Sequence, residues 1–166
     1  MFDFLRVLGL CHAVIPSFEH IENFDEIVWK SPSPDEEALV QAAADNGVLF
    51  MKRTRKELEL IVNGKKEIYK LIHTLEFSSD RRRMSVLVQN KATSKHYLFT
   101  KGADDVIFER TRRHGDKADK TIATLKAEVE MFSRKGLRTL MIAMKEVYCC
   151  DITWWRPIDN HYLLIF

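Results

Sequence analysis

From Val48 to Lys101 apolar residues recur at every second position, in five short runs divided by turn signals, and no other feature restricts the fold of this chain as tightly. "VLFMKRT", "ELELIVNG", "KKEIYKLIHTLEF", "RRMSVLVQ" and "HYLFTK" alternate as strands with two unlike faces do. Asn63-Gly64 is the pair that a two-residue hairpin turn favours, since both central positions need positive φ, and the polar "NKATSK" makes a longer turn. Consecutive hairpins give an antiparallel sheet.

Around this block the period changes to that of helices. Phe4, Leu5, Leu8, Cys11 and His12 recur at helical spacing, with Pro16 expected to end that helix. In "SPSPDEEALVQAAADNG" Ser33 is a candidate cap and Pro34 takes the first helical position. Asp35, Glu36 and Glu37 load the first turn, and Gly47 marks the stop. "ADDVIFERTRR" and "KADKTIATLKAEVEMFSRKG" read as two more helices, and Gly136 precedes a sixth apolar strand, "RTLMIAMKEV". The expected fold class is α+β, an antiparallel β-sheet of about six strands flanked by helices.

A chain of 166 residues can bury one sizeable core, which makes a single main domain the expectation. With 26 basic against 24 acidic residues there is no strong field of one sign, so an anion has to be recognised locally. Three cysteines, two of them the vicinal Cys149 and Cys150, suit a reducing compartment. Asp3 and Arg6 interrupt the apolar start, which argues against a signal peptide, and no run reaches the roughly 18 apolar residues of a membrane span.

Four stretches carry candidate chemistry. In "FTKGAD", Lys101 and Gly102 stand where a strand gives way to a helix start, with free N–H groups near and no Cβ on the glycine to hold a ligand away; they read as a contact for phosphate or for the edge of a nucleotide. A Lys-Gly pair met alone is more often a solvated lysine beside a turn, and the Walker A pattern is absent. In "LEFSSDRRRMSV", Phe77 offers a stacking face at a strand end, although a lone Phe is more often core. Alternation sets Arg82 opposite Arg81 and Arg83, and a solvated basic edge accounts for most of the triplet. The carboxylates of "SPDEEAL" suit the helix dipole and can also accept from an exocyclic amine. Arg138 in "GLRTL" enters a strand after Gly136, as a surface residue or as a bidentate phosphate clamp.

Taken together and in order, "LGLCHAV", "SPDEEAL", "EFSSDRRRMSV", "FTKGADDVIFER" and "GLRTL" closely resemble the nucleotide-binding domain of P-type ATPases, in the phospholipid-translocating flippase branch, over about residues 3 to 147. The resemblance implies ATP held beside the sheet, with Glu36 near the adenine amine, Phe77 stacked on adenine, Lys101 beside the nucleotide, Arg138 on the phosphates and Gly102 in the pocket wall. Ser79, Arg82, Met84, Ser85, Ala103 and Thr139 are implied as pocket neighbours, and Glu37 is expected to point to solvent. Mg²⁺ is expected to arrive with ATP, with no metal site and no catalytic residue in this chain. The family's phosphorylated aspartate, in an Asp-Lys-Thr-Gly motif, is missing from the sequence. The chain is therefore expected to bind ATP without hydrolysing it, and to present it to phosphorylation and actuator domains of a parent transporter at the cytosolic face of a membrane.

Residues 148–166, "YCCDITWWRPIDNHYLLIF", show no pattern that resembles the family's and are expected to form a divergent tail, with Trp154 and Trp155 free to pack on the sheet or to meet a membrane surface. Two alternatives stay open. One is a truncated, non-catalytic interaction module that keeps the fold. The other is a nucleic-acid binder built on "RRR", "KRTRK" and "RTRRH", which the near-neutral charge and the lack of alternating aromatics on central strands argue against.

Overall fold

The structure is a computed structural model that describes residues 2–18, 27–111, 116–148 and 164–165. Its centre is an antiparallel meander whose strands neighbour one another in chain order: β3 (Val48–Arg53), β4 (Glu57–Val62), β5 (Lys65–Leu75), β6 (Arg83–Asn90), β7 (His96–Gly102) and β8 (Met141–Val147). These are the six expected strands. The β4–β5 turn is the predicted one, with Asn63 at φ 48° and Gly64 at φ 75°.

Both faces of the sheet are covered, which is why β6 is buried from Arg83 to Val88 without the polar alternation of a half-exposed strand. One face takes α1 (Phe2–Leu10) and α2 (Pro34–Asp45): Leu5, Leu8, Leu10, Cys11 and Val40 pack with Phe50, Leu60, Met84, Val86 and Phe99. The other takes α3 (Asp104–Glu109) and α4 (Asp116–Arg134), where Ile107, Phe108 and Ile122 meet Leu87, Leu98 and Ala143. At roughly 25 cal/mol per Å² of apolar surface removed from water, these two clusters are the main stabilising term. Successive residues of β7 therefore look toward different helices, Phe99 to α1 and α2, Leu98 to α3 and α4.

Several local expectations are corrected. Pro16 does not end a helix. The last helical bond of α1 is Cys11 N–H to the Val7 carbonyl, and Pro16 lies in β1 (Ile15–Phe18), which pairs with β2 (Ile27–Lys30) in a separate two-stranded sheet. An outer strand leaves one side unpaired, so a residue without an N–H fits there. This hairpin packs on β3, where the Trp29 indole donates to the Phe50 carbonyl at 3.0 Å. Ser33 is at the N-cap of α2 with no side-chain cap bond; its carbonyl takes the N–H groups of Glu36 and Glu37 instead. The sixth strand begins at Met141, so Arg138 sits in the loop before it.

The C-terminal stretch also touches the sheet, where Leu164–Ile165 form β9 and pair with Met144 and Ala143 of β8. Cys149, Cys150, Trp154 and Trp155 lie outside the described residues, as does most of "RTRRH". Cys11 is a free, buried thiol, and burial pushes its pKa up to about 12, which disfavours the thiolate. Among the described residues, no helix is long and apolar enough to cross a membrane.

Candidate functional site

In an antiparallel meander alternate turns fall at the same end of the sheet. The C-termini of β5 and β7 and the N-termini of β6 and β8 share one end, so the segments carrying Phe77, the Arg81–Arg83 triplet, Lys101, Gly102 and Arg138 converge although the sequence separates them by up to 61 positions. The N-terminus of α2 is tied to the same end by two ion pairs, Glu36 with Lys101 and Asp35 with Arg138.

Lys101 is on the α1–α2 face of β7, flanked across the ladder by Met84 and Ile142, both buried. Only 7% of its surface is exposed, and its ammonium donates to Glu36 Oε1 at 2.7 Å. The apolar walls hold the four-carbon stem while the charge is compensated at its tip. Glu36 Oε2 accepts the Ala13 N–H at 3.0 Å and the Ser31 hydroxyl at 3.4 Å. Burial opposes ionisation of this carboxyl, but the hydrogen bond and charge of Lys101 outweigh it, and the pKa falls below the ordinary carboxylate value. Beside it, Glu37 does not point to solvent as expected: its Oε1 accepts the Ser31 N–H at 2.6 Å, fixing the loop that leads into α2.

Phe77 lies two residues beyond the end of β5 and is 63% exposed, which makes it a free aromatic face rather than core. Gly102 also has a reason within the fold. A Cβ there would stand 2.6 Å from the Arg82 carbonyl oxygen and from Arg83 Cβ, so glycine is required by the close passage of the chain entering β6, and the Ala103 N–H donates to that same carbonyl at 3.0 Å.

The arginine triplet is not a solvated basic edge. Arg83 is buried, with its guanidinium on the Arg81 carbonyl, and Arg81 closes the 76–82 turn by donating to the Glu76 carbonyl at 2.7 Å. Arg82 is exposed, has φ 48°, precedes the strand and pairs with Asp105 at 2.7 Å. Of the remaining neighbours, Ser79 is exposed in that turn, Ala103 is the N-cap of α3, and Thr139 is half-buried beside Arg138. Met84 is core under Lys101. Ser85 is corrected, because it accepts from Thr100 on the α3–α4 face and so looks away from Lys101.

Residues whose sequence pattern gave no site role also meet here. The His12 ring shares its nitrogens with the Gly9 carbonyl at 3.0 Å and the Val14 N–H at 3.1 Å, and burial lowers its pKa to about 4. Arg53, which drew notice only as part of a basic run, donates to the His12 carbonyl. The motif "LGLCHAV" was the available signal, although nothing in the sequence linked it to Glu36. Among the described residues, no group of three or more His, Cys, Asp or Glu side chains is arranged to hold a metal ion.

Comparison with known proteins places the chain in a family. Residues 3–151 match the model of the P-type ATPase cytoplasmic domain N. The chain is 35% identical to the phospholipid-transporting ATPase tat-1 of Caenorhabditis elegans, with 98% of this chain and 15% of that protein aligned. It is 39% identical to the mouse phospholipid-transporting ATPase IK, over 98% of this chain and 12% of the relative. Identity is also 39% to phospholipid-transporting ATPase 10 of Arabidopsis thaliana, over 87% of this chain and 12% of the relative. The chain thus spans about an eighth of the length of these relatives, and over nearly all of its own length it belongs to the family of P-type ATPase cytoplasmic N domains.

Proposed function

We propose that this chain is the ATP-holding domain of a phospholipid-translocating P-type ATPase, and that it presents ATP, with Mg²⁺ carried on the phosphates, to an aspartate on another domain of the parent protein at the cytosolic face of the membrane. The observation that carries the reading is that the same end of the sheet bears an exposed aromatic face at Phe77, after β5, and a buried, charge-compensated lysine at Lys101, on β7. An apolar plane and a fixed cation at one end of a sheet suit a molecule with a flat base and a chain of anionic oxygens.

In this reading Phe77 stacks on the base, Lys101 contacts the nucleotide and Arg138 exchanges Asp35 for phosphate oxygens. Gly102 and Ala103 shape the floor by keeping β7 close to the 76–82 turn. Phosphoryl transfer needs an in-line nucleophile: a carboxylate oxygen attacks the γ-phosphorus, the bond to the β–γ bridging oxygen breaks, and ADP leaves. The chain's own part is to hold the adenosine end while leaving the triphosphate free for domain closure. Affinity is modest in consequence, because one stack and a few charge contacts offset little of the cost of immobilising the ligand.

The test is a titration of ATP, ADP and AMP followed by amide NMR shifts at Phe77, Lys101, Gly102 and Arg138. Saturable shifts centred there are expected. Phe77→Ala should weaken ATP and ADP equally, by about tenfold, the worth of one base stack; Lys101→Ala should weaken the triphosphate more. No shifts at millimolar ATP in a folded chain would leave the non-catalytic interaction module as the better reading.

A further inference from the structure

We propose that the outer edge of β2, with the trough between it and α2, is a docking site for an extended segment of a partner protein that carries basic side chains, taken up as an added strand of the β1–β2 hairpin. The site stands apart from the nucleotide reading, because the trough runs from the first turn of α2 toward the Asn63–Gly64 turn, at the end of the sheet opposite Phe77 and Lys101.

The register decides which backbone groups face outward. β1 and β2 pair antiparallel, Ile15 with Lys30, Pro16 with Trp29, Ser17 with Val28 and Phe18 with Ile27. Pro16 has no N–H, so its pair with Trp29 is of the kind that exchanges no hydrogen bonds, and alternation makes Phe18 and Ile27 a pair of the same kind. The N–H and carbonyl groups of Ile27 and Trp29 therefore point away from β1. Among the described residues no hydrogen bond reaches those groups, and no strand lies beyond them. The outer edge of β1 is blocked at Pro16 by the missing N–H; β2 has no such block.

A hollow follows the open edge. Ile27, Val28 and Trp29 line it together with Glu37, Ala38 and Gln41 of α2. Successive strand side chains leave by opposite faces, Ile27 and Trp29 into the core and Val28 outward, so a hollow that touches all three lies along the backbone and not on either face. It shares Ile27, Trp29 and Gln41 with a second hollow of about 440 Å³, which continues past Asp45 and Leu49 to Ile61 and Asn63.

Length and charge set the occupant. From Glu37 to Asp45 the helix rises about 12 Å at 1.5 Å per residue, room for about four residues of extended chain at roughly 3.4 Å each. Glu37 and Asp45 stand toward the two ends, and no lysine or arginine lines either hollow. Each carboxylate uses one oxygen within the protein, Glu37 Oε1 on the Ser31 N–H and Asp45 Oδ1 on the Gln41 amide; among the described residues the other oxygen of each has no hydrogen-bond partner. Basic side chains four positions apart in an extended segment leave by the same face, about 14 Å apart, and span that distance. Main-chain bonds to the edge supply affinity and the two charges supply selectivity. A second copy of this chain is the poorer occupant, since it brings the same acidic rim against itself.

The test is a titration of acetyl-Arg-Thr-Ile-Thr-Arg-amide into the full 166-residue chain, followed by amide NMR. Saturable shifts are expected at Ile27, Val28, Trp29 and Gln41, with exchange of the Ile27 and Trp29 amides slowed about tenfold and Phe77 unmoved. The counterpart with Glu in place of both Arg should bind about tenfold more weakly. The peptide N-methylated at its three central residues should not bind, having lost its edge donors. Asp45→Asn should weaken the basic peptide about two- to fivefold and leave ATP affinity unchanged. Equal binding of the acidic counterpart, undiminished binding of the N-methylated peptide, or no shifts at millimolar peptide in a chain with a dispersed spectrum would each overturn the site. A concentration-dependent dimer whose β2 amides shift without peptide would give the edge to a second copy and overturn it as well.

Discussion

A methyl group at Gly102 would meet the Arg82 carbonyl and Arg83 Cβ at 2.6 Å, closer than real side chains come, and the obstacle is backbone as well as side chain. Gly102→Ala should therefore destabilise the fold by about 1–3 kcal/mol, the cost of overpacking, in urea unfolding. A variant of wild-type stability with impaired nucleotide binding would return Gly102 to the ligand. His12 gives a pH signature at the same scale. Its folded pKa of about 4 lies below the ordinary 6.5, so between these values the unfolded chain takes up a proton that the folded chain refuses. The contribution is complete above pH 6.5 and lost as the pH falls toward 4, about 3–4 kcal/mol in all at roughly 1.4 kcal/mol per unit. NMR titration of the His12 ring should show no protonation at pH 5.5, and a midpoint near 6.5 would contradict its burial. His12 stood out in the sequence as one of five residues at helical spacing and as part of "LGLCHAV"; its tautomer and its neighbours depend on Gly9, Val14 and Phe50.

At the scale of elements, the first turn of α2 gives each of its three carboxylates a different partner: Asp35 takes Arg138, Glu36 takes Lys101 and Glu37 takes the Ser31 N–H. The helix dipole explains why acids stand there, but not which cation each one meets. The Asp35–Arg138 pair is exposed on both sides, so Asp35→Asn should change stability by less than about 1 kcal/mol in chemical denaturation. Where Arg138 serves the phosphates, the same substitution removes a competing carboxylate and should tighten ATP by about two- to fivefold while leaving AMP unchanged. Equal effects on ATP and AMP would take Arg138 away from the phosphates.

For the whole molecule, the question is how far the sheet depends on its last strand. β9 contributes only Leu164–Ile165, at the edge beside β8. Removing residues 164–166 should leave the six-stranded meander intact and speed amide exchange around Ala143 and Met144 alone, by hydrogen-exchange mass spectrometry. Loss of protection across β6 and β7 as well would mean that the edge strand supports the entire sheet.

The sequence by itself determined the meander, because the period of two and the Asn63-Gly64 turn are local: each hairpin is specified by residues a few positions apart. It also marked α2, α4 and the segments of the site through their motifs. The β1–β2 hairpin escaped notice because its two strands have four residues each, too few for periodicity to register, and Pro16 reads as a helix stop wherever it falls. The partners were decided by the tertiary structure alone. That Glu36 meets Lys101 across 65 positions, that Arg53 reaches the His12 carbonyl across 41, and that Gly102 is glycine because another chain segment passes it are consequences of folding the sheet. Local pattern fixes which face a side chain leaves by; only the closed fold fixes what stands opposite.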